Sequence, residues 1–186
     1  FAIYSGHGSR SEDEAKGKET AQKILKLKLS ISEMAAKYHA VTDWDKEFKS
    51  REFYVAPVYT LEVQNALLET DGRPILFHAP LADIEKAGNR YIVRFGGLSY
   101  PDIYFELECS PGQVRELLEN QDDLSRRNYA VVAQIKRVFR PNLVVRAYPR
   151  KGEETGIEIE SSDIYMAEGT CVDLLYMGVL FWEFME

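Results

Sequence analysis

One stretch of the sequence, residues 125–151, has the composition of an anion-binding surface. It contains eight Lys and Arg residues and no Asp or Glu, whereas the whole chain carries 23 basic and 30 acidic side chains and a formal net charge of -7. The segment that follows it, 152–186, contains nine acids and no base. Because Lys and Arg attract phosphate groups, 125–151 is a candidate surface for nucleic acid or another polyanion. The acidic remainder argues against a protein that binds nucleic acid over its whole surface.

Other side chains that could do chemistry form no recognisable motif. The histidines His7, His39 and His78 are far apart in the sequence and none has metal-ligand spacing. The acidic stretch 43–47 lacks the glycine and the length of a calcium-binding loop, and no GxSxG nucleophile motif is present. We therefore predict no catalytic residue, no metal site and no cofactor, and we expect a protein that is not an enzyme.

The two cysteines, Cys109 and Cys171, are too few for a disulfide framework and have no CxxC spacing. They form either one disulfide or two buried thiols. We favour two thiols, because free cysteine is among the most buried residue types.

The sequence leaves the cellular compartment open. The first residue is Phe1, so a leader or anchor upstream would place the protein in an exported or membrane-tethered form, and otherwise we expect it in the cytoplasm. No run of 18 apolar residues occurs, so we predict no membrane span in this chain.

The beginning of the chain has a helical pattern. Apolar residues recur there every three or four positions, which predicts a helix with a heptad seam. These residues are Ile24, Leu27, Ile31, Met34, Tyr38 and Val41. A capping box at Ser30 predicts a break in this helix, and a second short helix is expected at 44–48.

Most of the remaining chain alternates between apolar and polar residues, which predicts strands. One strand is expected at 58–64. The elements after it are strands at 74–86, 90–95 and 102–109, a helix at 111–120, and strands at 129–138 and 143–148. Pro80 lies near the middle of its strand and predicts a bend or a sheet edge there.

The stretch RYIVRF…DIYFELEC…QVRELLEN…YAVVAQI resembles the OB-fold modules of the tRNA-anticodon-binding-like group found in uncharacterised bacterial proteins. The resemblance covers residues 74–150 and lies in the order of elements: three strands, a helix and two strands, the last being 143–148 or a later one. It implies a five-stranded Greek-key barrel. Such a barrel would bind partners on the face of its second and third strands and through the loops joining strands one to two and four to five.

The alternation of apolar and polar residues predicts which side chains lie on the outer face of the second and third strands. The inward set on the third strand is Ile103, Phe105, Leu107 and Cys109. Tyr104, Glu106 and Glu108 then point outward, and antiparallel pairing would set Arg90 opposite Glu108 and Arg94 opposite Tyr104. Carboxylates on the face would repel phosphate, and Tyr104 alone would offer a stacking surface, which counts against nucleic acid.

The basic stretch is also divided by alternation, since Lys136 and Arg137 should lie on opposite faces of a strand. If 129–138 and 143–148 form a hairpin, its tip holds Lys136, Arg137, Phe139 and Arg140 beside a Pro-Asn turn. We predict these four residues as the binding site. Three roles remain open: a solvated face that balances the acidic flanks, which we favour, an anion or nucleic-acid site, and a docking spot for an acidic protein partner.

The end of the chain, 171–185, is apolar on nearly every side. We predict an apolar helix that lies in the core. A partner interface is the alternative, since Trp, Tyr, Phe and Met are enriched in interface cores.

Together these patterns predict an α+β protein. Residues 1–52 form an N-terminal helical segment. Residues 53–186 form an OB-like five-stranded Greek-key barrel with a helix between strands 3 and 4 and an apolar C-terminal helix. The leading hypothesis is a non-catalytic binding or scaffold module that acts through protein–protein contacts or self-association. The alternative is an OB module that binds single-stranded nucleic acid or another polyanion through the tip at 136–140.

Overall fold

The chain folds as an α+β protein, as its sequence predicts. The computed structural model describes residues 9–44, 56–96, 103–120, 128–139, 143–149, 155–161 and 164–178. Within these ranges the helices are α1 (Ser9–Tyr38), α2 (Ala56–Leu68) and α3 (Pro111–Glu119). The strands are β1 (Ile75–Ala87), β2 (Arg90–Gly96), β3 (Ile103–Cys109), β4 (Asn128–Phe139), β5 (Leu143–Pro149), β6 (Thr155–Ser161) and β7 (Tyr165–Gly178).

Five of these strands close into a barrel in the order β1-β2-β3-β7-β4, and β4 pairs back onto β1. Neighbouring strands are antiparallel, except that β3 and β7 run parallel. The helix α3 joins β3 to β4, where it was predicted. The barrel is therefore the predicted OB-like Greek-key barrel, and its fifth strand is the later segment β7.

The predicted hairpin of 129–138 with 143–148 is wrong. The strand β4 pairs with β1 over its first half and with β7 along its length, whereas β5 pairs with β6 in a separate two-stranded sheet. The β5–β6 hairpin is thus an insertion between the fourth and fifth strands of the barrel. Residues 136–139 lie on a barrel strand, not at a hairpin tip.

The first barrel strand changes partner at Pro80, where the sequence predicts a bend or a sheet edge. Residues 75–80 of β1 pair with β4, and residues 81–87 pair with β2 across a bulge at Ala82. A proline lacks the N–H that a central ladder needs, so it suits this transition. The turn from β1 to β2 uses Gly88 at φ +64°, a backbone conformation that glycine adopts without strain.

The barrel interior is filled by the predicted inward set of β3 and by aromatic side chains from its neighbours. Every second residue of β3, beginning at Ile103, is buried, which confirms the alternation. The rings of Phe77 and Phe105 stack with centroids 3.7 Å apart, and Phe95 contacts Tyr129 edge-on at 6.0 Å. Each such ring buries a large apolar surface and contributes strongly to the stability of the core.

The predicted strand at 58–64 is wrong, because these residues belong to helix α2. Val63 and Leu67, four residues apart, are both fully buried in the barrel core. The Gln64 side chain donates a hydrogen bond from Nε2 to the Val138 carbonyl at 3.1 Å. An alternating pattern of only seven residues can occur by chance within a helix. The four-residue spacing of the buried pair is the helical signal in this segment.

The heptad seam predicted for the N-terminal helix exists, but it packs on the barrel. The helix α1 runs without a break through Ser30, whose hydroxyl donates to the Lys26 carbonyl at 3.1 Å. Seam residues of α1 form a second apolar cluster with outward-facing residues of β1, β4 and β7. The members central to it are Met34, Leu76, Ala130, Val132 and Met177. The predicted helix at 44–48 lies outside the described residues from position 45 on.

The predicted apolar C-terminal helix is wrong for residues 171–178, which form the second half of β7, and 179–186 lie outside the described residues. This part of β7 is buried from both sides. Cys171 and Leu174 face the barrel core, whereas Val172 and Leu175 lie under α1. A strand covered on both faces is apolar at every position, and such a run cannot be distinguished from a buried helix by periodicity.

Candidate docking face

The predicted site residues lie on the outer surface of β4, in a different arrangement from that expected. A bulge between Ile135 and Arg137 leaves Lys136 as an extra residue in the pairing with β7. Lys136 and Arg137 are therefore both exposed, whereas Ile135 and Val138 on either side are buried. The prediction that Lys136 and Arg137 lie on opposite faces is wrong, because a bulge interrupts the alternation of a strand. Arg140 lies outside the described residues.

A glycine on β7 permits this bulge. Gly169 pairs with Ile135, and a Cβ atom at Gly169 would collide with the carbonyl oxygen of Gln134. The two strands thus approach more closely here than any side chain on β7 would allow.

The exposed Arg137 is already bound by a carboxylate. Its Nε donates to Oε2 of Glu168 at 2.8 Å, and a terminal nitrogen donates to Oε1 at 2.7 Å. This bidentate hydrogen bonding raises the pKa of Arg137 above its ordinary value. The guanidinium also lies over the Phe139 ring, 4.4 Å from its centroid. Of the bases in the predicted anion site, Arg137 is therefore neutralised from within the chain.

Arg137 and Glu168 belong to a line of charged residues that crosses five strands. The pairing sets Asp83 opposite Arg94, Arg94 opposite Glu106, Glu106 beside Glu168, and Glu168 opposite Arg137. We call these five residues the charged row. It contains three acids and two bases, and its two central members are both carboxylates.

The Arg94 side chain is fixed within the charged row. Its terminal nitrogen donates to Oε2 of Glu106 at 2.7 Å, and this hydrogen bond raises the pKa of Arg94. The predicted pairing of Arg94 with Tyr104 is wrong by two residues. The predicted position of Arg90 opposite Glu108 is wrong by the same two residues, because Glu108 lies opposite Ile92, although Arg90 and Glu108 form an ion pair at 3.5 Å.

A second line of residues, two positions along the same strands, is apolar. Tyr104 of β3 lies beside Met166 of β7, and Met166 lies opposite Phe139 of β4. We call these three residues the apolar row. All three side chains are half-buried, and they share the outer surface with the charged row because residues two apart on a strand point the same way.

A groove of about 570 Å³ lies over the apolar row and over the part of the charged row formed by Asp83, Arg94 and Glu106, and Glu168 and Arg137 lie beside it. Its lining residues are Ala82, Asp83, Arg94, Tyr104, Glu106, Phe139, Ile164 and Met166. We call the two rows and this groove the docking face. The β5–β6 insertion leaves β4 after Phe139 and returns to β7 just after Ile164, so it begins and ends at the rim of the groove.

Part of this face is predictable from the sequence. Alternation along β3 places Tyr104 and Glu106 on its outside, and charge and aromatic character indicate Arg137 and Phe139 as binding residues. Glu168 and Met166 were missed, because their position depends on the parallel register of β7 against β3. No sequence pattern gives that register, so only the fold reveals that Glu106 and Glu168 are neighbours.

Cys109 and Cys171 are both buried and unbonded, which confirms the prediction of two thiols. They occupy neighbouring positions on the parallel pair β3 and β7. A hydrogen bond with the Cys109 sulfur raises the pKa of the Cys171 thiol, and burial raises it further. The Cys171 thiol is thus held in its unreactive, protonated form.

The described residues contain neither a metal-binding cluster nor a helix able to span a membrane. No group of three or more His, Cys, Asp or Glu side chains there is arranged to hold a metal ion. None of the helices described combines the length and the apolar composition needed to cross a membrane.

Comparison with known proteins gives no relative. No protein-family model, curated protein or solved structure matches the chain. A functional assignment therefore depends on the geometry and the charges of the docking face.

Proposed function

We propose that this chain is a non-catalytic binding module that docks a segment of a protein partner on the docking face. The observation that carries the proposal is the groove itself. It combines an apolar floor of Tyr104, Phe139 and Met166 with hydrogen-bonding side chains at one edge. A concave apolar surface with a few fixed polar groups is the usual form of a recognition site.

The composition of the groove favours a protein as the ligand. Aromatic residues, Met and Arg are the side chains enriched in protein–protein interfaces, and the docking face contains all of these types. The ion pairs at its edge fix the Arg94 and Glu106 side chains at 2.7 Å before a partner arrives. Side chains held in this way lose less conformational entropy when a partner binds.

The same charges disfavour the alternative ligand, single-stranded nucleic acid. Three carboxylates against two guanidinium groups give the charged row a net negative charge, which repels phosphates. Arg137 would have to leave Glu168 in order to bind a phosphate. Of the predicted site's bases that the structure describes, this leaves Lys136 for a phosphate.

Selection from a random peptide library displayed on phage, with the whole chain as bait, tests the proposal. We expect selected peptides to lose at least about tenfold in affinity, roughly 1.4 kcal/mol, when Met166→Asp or Tyr104→Ala alters the apolar row. Two variants are used because either alone could perturb the barrel, and thermal denaturation identifies a variant that fails to fold. Leu118→Asp is the matched control, since Leu118 is exposed on α3 and is not part of the groove.

Two results would contradict the proposal. One is a selection that yields no peptide, or only peptides whose affinity both groove variants leave unchanged. The other is tight binding of a labelled single-stranded oligonucleotide at low salt that Met166→Asp abolishes, which would favour the nucleic-acid alternative.

A further inference from the structure

We infer that the docking face selects a basic side chain of its partner, held between Glu106 and Glu168 and accompanied by an apolar side chain on the apolar row. This inference rests on the proposed function and specifies the chemistry of the ligand. It depends on the register of four strands, which places two carboxylates side by side between two arginines.

The central pair of the charged row is electrostatically unusual. Glu106 and Glu168 are directly paired on the parallel strands β3 and β7, whose backbones lie about 4.8 Å apart. Like charges in directly opposite positions destabilise a sheet. Each carboxylate is bound by an arginine on its outer side, Glu106 by Arg94 and Glu168 by Arg137, so neither arginine lies between the two acids.

The pair retains capacity to bind a cation. The arginine on Glu106 uses only Oε2, and the Oε1 atom has no partner among the described residues. Each ionised carboxylate oxygen has two lone pairs, so the oxygens of Glu168 can also accept a further hydrogen bond. The Glu106 and Glu168 side chains are 25% and 34% exposed, which leaves them accessible and yet partly shielded from water. An ammonium or guanidinium group between them would form charge-assisted hydrogen bonds with both and relieve their repulsion.

The apolar row gives the second half of the recognition pattern. Tyr104 and Met166 lie two residues along their strands from Glu106 and Glu168, a distance of about 7 Å. Side chains at positions i and i+2 of an extended peptide point the same way and are spaced by the same distance. The ligand is therefore an extended segment in which Lys or Arg is separated by one residue from a large apolar residue.

Nuclear magnetic resonance titration of the whole chain with synthetic peptides tests this inference. The probes are three blocked peptides that carry Phe and, two residues later, Lys, Gln or Glu, together with the same three in reverse order. We expect the Lys peptide to bind at least about tenfold more tightly than the Glu peptide, because a hydrogen bond between oppositely charged groups is stronger than one between neutral groups, and the Glu peptide is repelled. Raising the salt concentration should reduce this preference.

Variants locate the preference. Glu106→Gln and Glu168→Gln should each reduce the Lys-over-Glu ratio by several fold, and the double substitution should abolish it. Glu108→Gln is the matched control, because Glu108 is an outward carboxylate on β3 that pairs with Arg90 and lies outside the charged row. All of these carboxylates belong to partly exposed ion pairs, whose loss alters stability little, so each variant should fold.

The outcomes separate this inference from the proposed function. Equal affinity for the three peptides, with loss of binding in Met166→Asp, would overturn the basic preference and leave the docking proposal intact. A preference that survives the double substitution would place the cation elsewhere and also overturn it. No spectral change at groove residues with any peptide would overturn both.

Discussion

Replacing Met34 with alanine tests whether α1 is part of the folded domain. Met34 lies at the centre of the cluster between α1 and the barrel, and only 8% of its surface is exposed. Truncating a buried methionine to alanine costs about 2–5 kcal/mol, the sum of lost burial and the cavity that remains. We expect the lower part of that range, about 2–3 kcal/mol, because partly buried neighbours on α1 can move into the space. For a chain of this size, such a loss lowers the melting temperature by about 4–12 °C.

The control for this prediction lies on the same helix. Leu25 is 61% exposed, so Leu25→Ala should change the free energy of unfolding by no more than about 0.5 kcal/mol. Thermal and urea denaturation followed by circular dichroism measure both variants. Equal stabilities for Met34→Ala and the wild type would mean that α1 does not pack on the barrel. A loss for Met34→Ala that grows with dilution would mean that the seam joins two chains.

Three further predictions concern the barrel and its titratable groups. Gly169→Ala should destabilise the protein strongly in urea denaturation, whereas Gly17→Ala, which meets no neighbouring atom in α1, should stabilise it by up to about 1 kcal/mol; equal effects would contradict the close approach at the bulge. A thiol reagent should modify neither Cys109 nor Cys171 in the native protein and both after unfolding, and rapid native labelling would mean that they are not buried. Burial raises the pKa of Glu116, so its charge opposes folding once the pH exceeds the ordinary pKa of glutamate; Glu116→Gln should raise the melting temperature at pH 7, with the gain disappearing in acid, and a gain independent of pH would refute this cause.

Local patterns in the sequence were sufficient to predict those helices and strands whose structure depends mainly on their own residues. The helix α3 follows a Ser-Pro pair, and the capping box is present: Ser110 accepts from the Gln113 amide at 3.2 Å, and Gln113 accepts from the Ser110 amide at 2.8 Å. The inward set of β3 is also a local pattern and is confirmed, and Pro80 marks the point where β1 changes its pairing partner. The order of these elements then gave the barrel.

The structure could not be predicted from the sequence where a strand is buried on both faces or where its geometry depends on residues distant in the chain. The second half of β7 is covered by the barrel core and by α1, so its composition could not distinguish a strand from a helix. The bulge at Lys136 depends on a glycine 33 residues away, which no window along β4 contains. The charged row needs the register of five strands, and the pairing of Glu106 with Glu168 follows only from the parallel order of β3 and β7.

The antiparallel pair β4–β7 contributes to both the stability of the protein and its proposed function, but it does so through different residues at its two ends. Its first part, at Ala130 and Val132 on β4, lies under α1 on the outside of the barrel. Its other end carries Arg137, Phe139 and Met166, which belong to the docking face. The bulge lies between the two ends and turns consecutive polar residues outward just where the cover of α1 stops. A change under the helix, such as Met34→Ala, should therefore lower stability without altering peptide selectivity, whereas Glu168→Gln should alter selectivity with little effect on stability.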